Sequence, residues 1–86
     1  MTGLLSSMKR NFVIFDGSIY NIPIYKVDDF VMFKNHLAKV VYANPYSIFG
    51  TYYNIQLLNG FIVTIDISNV SQLSDISLFD VYGMED

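Results

Sequence analysis

A chain of 86 residues, 52% of them hydrophobic and only 15% charged, has room for one domain with a dense core and not for two. It holds no cysteine, which excludes disulfides, thiol catalysis, zinc ribbons and iron–sulfur clusters. The net charge is −3, split between +2 up to Lys39 (five bases, three acids) and −5 beyond it (five acids, no base), a balance that argues against a surface built for nucleic acid.

Residues 1–10 place Lys9 and Arg10 after the short apolar pair Leu4-Leu5. A secretory signal has its charges before a longer apolar run, so this segment reads as a flexible tail on a cytoplasmic protein. No apolar run approaches the ~20 residues that cross a bilayer, and no membrane role is expected. The domain is expected over 11–82, with 83–86 as an acidic end.

The first ordered signal is Asn11–Phe15, then Asp16-Gly17, then Ser18–Tyr25. Asp-Gly between two β-branched and aromatic runs predicts a hairpin on a type I′ turn. Pro23 lacks the donor a central strand needs, so the second arm is an edge, at least near that residue. Its open side, at Ile19, Tyr20, Ile22, Ile24 and Tyr25, is a candidate for pairing with another chain.

Residues 28–43 admit two readings. Asp28 could cap a helix with Phe30, Phe33, Leu37, Val40 and Val41 as its stripe, ended by Asn44-Pro45. The same stretch reads as two strands, 29–34 and 37–43, joined at Asn35-His36, and the β propensity of Val40-Val41-Tyr42 favours this. The helical alternative makes the domain α+β, two hairpins flanking one helix.

The last strong signal is Tyr52–Leu58, Asn59-Gly60, Phe61–Ile67, a second hairpin on the best short turn sequence known. Tyr53, Ile55 and Leu57 share one face of the first arm, and Phe61, Val63, Ile65 and Ile67 one face of the second. The expected core joins Val40, Ile55, Leu57, Val63 and Ile65.

The order of parts from Asp29 to Leu73 resembles the small SH3-like barrels, including those of KOW type. It runs Asp-Phe-Val-x-Phe-Lys-Asn-His, an Ala38-x-Val40 strand, a loop over 44–50, the Asn59-Gly60 hairpin, and a close at Val70 and Leu73. The resemblance implies an all-β, partly open barrel, to which the N-terminal hairpin is an addition. It also implies that the 44–50 loop lies over one mouth of the barrel, where such domains often bind.

Catalytic chemistry finds no foothold. The five glycines are scattered, so no phosphate-cradling loop exists. His36 is the lone histidine and reads as a polar turn residue. Asp28 and Asp29 are adjacent and would point to opposite sides of a strand. Asn69-Val70-Ser71 matches a glycosylation acceptor by chance. No enzyme activity, metal or cofactor is expected.

The Asn44–Gly50 loop with Tyr52 and Tyr53 is the candidate site. Pro45, Tyr46, Ile48 and Phe49 make it too apolar for a plain connector, and tyrosine rings give contact area at low entropy cost. Ile48 and Phe49 either join the contact surface or fold back as a lid, with Tyr46 and Tyr52 outside. The partner-binding set is Pro45, Tyr46, Phe49, Tyr52 and Tyr53.

The function expected is a non-catalytic module that docks onto a protein. By analogy of size and Ile/Asn/Tyr-rich composition, it is an accessory protein of a phage or other mobile element, modulating a host protein such as a defence factor. The rivals are a subunit of a homo-oligomeric assembly, a KOW-like nucleic-acid or ribosome binder resting on Lys26, Lys34 and Lys39, and a small-ligand binder.

Overall fold

The computed structural model describes residues 9–76. The expected acidic end and nearly all of the expected tail lie outside the described residues. Seven strands follow in order: β1 (Arg10–Phe15), β2 (Ser18–Pro23), β3 (Phe30–Phe33), β4 (His36–Ala43), β5 (Tyr53–Leu57), β6 (Ile62–Ile65) and β7 (Leu73–Ser74). A 3₁₀ turn at Val70–Gln72 precedes β7. The fold is all-β, and the helical reading of 28–43 is replaced by two strands.

The strands form a two-stranded sheet, β1-β2, and a five-stranded antiparallel sheet ordered β6-β5-β4-β3-β7, curled into a half-barrel. The curl has a local cause. The β4–β5 register shifts between Val40 and Tyr42, leaving Val41 unpaired as a bulge. A bulge bends its strand and increases the twist.

Each tight turn shows why its residues can make it. Asp16 and Gly17 both have positive φ, 53° and 78°, as the type I′ turn requires. The β3–β4 turn uses Lys34 and Asn35, at φ 49° and 67°, with Phe33 facing His36. The expected joint at Asn35-His36 was therefore one residue late.

The β5–β6 connection differs from the expected two-residue turn. Gly60 N–H donates to Leu57 O at 2.9 Å, and Leu57 N–H donates to Phe61 O at 2.9 Å. Gly60 alone has positive φ, 90°. This is a three-residue loop, a tight turn followed by a glycine bulge. Asn59 Oδ1 accepts the Phe61 N–H at 2.9 Å, across the glycine-bulge end of the loop.

The core lies between the concave face of the large sheet and the inner face of the hairpin. Val31, Val40, Ile55 and Ile65 are buried from the first, with Val13 and Ile22 from the second. Of the expected core set, Val40, Ile55 and Ile65 are buried, and Leu57 and Val63 pack against them partly covered. Cross-strand partners Val40–Ile55–Val63 form one rung of this face.

Candidate functional site

Two segments far apart in sequence converge on one groove of about 620 Å³. It is lined by Lys9, Ile24, Tyr25, Lys26, Val27 and Asp29 on one side and Ala43, Asn44, Pro45 and Tyr46 on the other. The first wall is a tight turn. Asp29 N–H donates to Lys26 O at 3.0 Å, and Asp28 sits at φ 80°, where glycine usually serves. The Asp29 carboxylate accepts the Lys26 N–H at 2.8 Å.

The second wall leaves β4 at Ala43. Asn44 N–H donates to Tyr52 O at 2.6 Å, and Ser47 N–H donates to Asn44 O at 3.2 Å. Pro45 is buried, and its carbonyl accepts the Asn11 amide at 2.8 Å, tying the loop to β1. Tyr46 is 69% exposed above it.

A pair of buried tyrosines braces the groove from below. The Tyr53 hydroxyl donates to Pro23 O and accepts the Tyr25 N–H at 3.1 Å. The rings meet edge to face at 5.5 Å, a favoured aromatic geometry. The Tyr25 hydroxyl donates to Asp75 Oδ1 at 2.7 Å. Burial above all, then the Asp75 hydrogen bond, pushes the Tyr25 hydroxyl far above its ordinary range. Burial pushes that of Tyr53 up to about 12. Both stay neutral at physiological pH and act as struts.

The expected contact residues thus divide. Pro45 and Tyr46 line the groove. Phe49 is 75% exposed and Ile48 61% exposed, so the lid reading is overturned. They border a separate depression of about 310 Å³ with Phe15 and Ile67. Tyr52 and Tyr53 are buried, 1% and 0% exposed, which corrects the expectation that Tyr52 stands outside. Tyr53 follows the inward alternation of Ile55 and Leu57. Tyr52 precedes the strand, and its N–H donates to Ile65 O at 2.9 Å, which draws its ring inward as well.

The edge candidates divide in the same way. Ile19 is 70% exposed on the outer face of the hairpin, Tyr20 and Ile24 are half-buried, and Ile22 and Tyr25 are core. Ile24 and Tyr25 reach the groove. The contributions of Asn11 and of the Lys26–Asp29 turn were missed. The adjacent acids Asp28-Asp29 were the available signal for that turn.

Among the described residues, no three His, Asp or Glu side chains gather as a metal site. His36 is exposed at the start of β4. Asp28 meets Lys39 at 3.7 Å, a pair in which both side chains face water and which therefore contributes little. No helix among the described residues is long and apolar enough to cross a membrane. The chain matches no protein-family model, no curated protein and no solved structure.

Proposed function

We propose that this chain is a non-catalytic docking module, an SH3-like half-barrel that takes a segment of a protein partner in the groove between Ile24–Asp29 and Ala43–Tyr46. The supporting observation is Tyr46, a largely exposed aromatic ring set on a buried proline beside a concave, mixed apolar and basic surface. Aromatic anchors next to a pocket dominate the energetics of protein interfaces. Bracing by Asn11 and the tyrosine pair reduces the ordering cost of docking. The order of β3, β4, loop, hairpin and 3₁₀ turn agrees with the SH3-like pattern, and such domains often bind at a long loop. The role we assign is that of a small accessory protein modulating its partner, as mobile elements employ.

The test is affinity capture from a lysate of the source cells, followed by titration of the captured protein. Tyr46→Ala is expected to leave the circular dichroism unchanged and to weaken binding at least about ten-fold. Phe49→Ala, on the separate depression, is expected to leave it unchanged. Full binding by a folded Tyr46→Ala protein would refute the groove as the site.

A further inference from the structure

The N-terminal hairpin carries an open strand edge that the groove does not use. Arg10 faces Pro23 in the β1–β2 register, and proline has no N–H to give. Ile24 N–H donates to Lys9 O at 3.0 Å. With the alternation of an antiparallel ladder, these two facts make Phe12–Asn21 and Ile14–Ile19 non-hydrogen-bonded pairs. The N–H and C=O groups of Phe12 and Ile14 therefore point away from β2. Among the described residues, no backbone or side-chain group bonds to them. The side chains of Phe12 and Ile14 are 71% and 74% exposed.

The opposite edge is different. On β2 it ends at Pro23, which brings no donor and whose carbonyl is taken by Tyr53. Natural sheets blunt their edges with proline or inward charge. β2 has that protection and β1 does not.

We propose that β1 pairs antiparallel with β1 of a second copy, about a two-fold axis through Val13. The sequence fits this register to itself. Phe12 faces Ile14 of the second copy and Ile14 faces its Phe12, each pair exchanging both backbone bonds. Arg10 faces Asp16 of the second copy at each end. Apolar meets apolar and base meets acid, as a two-fold interface requires of a single patch. A register shifted by two residues sets Ile14 against itself and Phe12 against Asp16 in one direction, or Phe12 against itself and Arg10 against Ile14 in the other, and loses this match. The result is a continuous sheet β2-β1-β1-β2 that leaves both grooves open. A single strand pair is smaller than a standard interface of about 800 Å² per partner, so a weak, concentration-dependent dimer is expected.

Sedimentation velocity of the full chain, from low to high micromolar concentration, tests this. The mass is expected to rise from the monomer's 9.8 kDa to twice that value. Arg10→Asp sets acid against acid and is expected to raise the dimer Kd at least about ten-fold with unchanged circular dichroism. Adding Asp16→Lys restores the pairing with the charges exchanged, and Lys34 shows that lysine accepts the backbone of Asp16. Ile14→Pro removes an outward N–H that β2 does not use and is expected to give a folded monomer. In a chain without native cysteine, Phe12→Cys with Ile14→Cys is expected to cross-link into a covalent dimer on oxidation. A monomer at every concentration overturns the proposal. So does a dimer that Arg10→Asp does not weaken, or one that the charge exchange does not restore.

Discussion

Tyr53 shows how much one side chain can hold. Its hydroxyl meets the Pro23 carbonyl and the Tyr25 N–H, groups some 30 positions away in the chain. Tyr53→Phe keeps the ring packing and strands both groups in a buried setting, at a cost of about 1–3 kcal/mol. Urea unfolding of the phenylalanine variant measures this, and wild-type stability would show the hydroxyl to be idle. The same burial makes stability depend on alkali. An unfolded tyrosine loses its proton near pH 10, while folded Tyr53 keeps its own until about 12. Above pH 10 the unfolded state thus binds fewer protons than the folded one, and stability falls as pH rises. The urea midpoint is expected to hold steady below pH 10 and to drop between 10 and about 12, less steeply in Tyr53→Phe. A flat profile through that window would contradict the buried setting of the pair. Asp66 carries a smaller effect of opposite sign. Hydrogen bonds from the Ser68 hydroxyl and N–H hold its carboxyl below the usual range, so its contribution is present at neutral pH and lost on acidification.

The turns carry the local chemistry of the elements. Asp16-Gly17 uses residues suited to positive φ, and sequence identifies it at once. Lys34-Asn35 makes the same turn with a lysine in left-handed backbone, which costs an L-residue roughly 1–2 kcal/mol. Nothing in the lysine side chain announces that conformation, which is why the joint was expected one residue later. The hydrophobic alternation of Val31, Phe33, Ala38 and Val40 on the concave face fixes it instead, because a one-residue slip would turn all four outward. Lys34→Asn with Asn35→Gly should therefore stabilise the protein by about 1 kcal/mol, raising Tm by roughly 4–8 °C in a domain of this size. Calorimetry that finds Tm unchanged or lower would show that the lysine is unstrained. The 66–70 turn was equally silent in the sequence. Asn69 spends its amide on Asp66 N–H at 2.7 Å and Thr64 O at 3.0 Å, a structural duty at the one position that matched a glycosylation acceptor.

At the scale of the molecule, the two proposed surfaces are the groove and the edge of β1 that no described strand pairs. They adjoin at the start of β1, where Lys9 lines the groove next to Arg10 and the inward amide of Asn11 supports Pro45 while its strand neighbours face out. Partner capture and self-association should accordingly respond to different changes. Tyr46→Ala is expected to leave the sedimentation profile as it was, and Arg10→Asp to leave partner capture unchanged. Titration and sedimentation of both variants check this, and one variant impairing both would mean that the surfaces are coupled. Sequence by itself determined both hairpins and most of the concave core, and it favoured strands over a helix for 28–43, a choice the structure settled as β3 and β4. Those features rest on a period of two and on turn residues, which neighbouring positions display. It also held the sign that Tyr53 is buried, since Tyr53, Ile55 and Leu57 alternate together. Only the tertiary structure decided that Tyr52 turns inward, that Phe49 and Tyr46 face different depressions, and that Ile24–Asp29 lies beside Ala43–Tyr46. Those facts depend on hydrogen bonds between positions about 30 apart and on the bulge at Val41 that curls the sheet. No local pattern encodes where a curled sheet brings distant loops together.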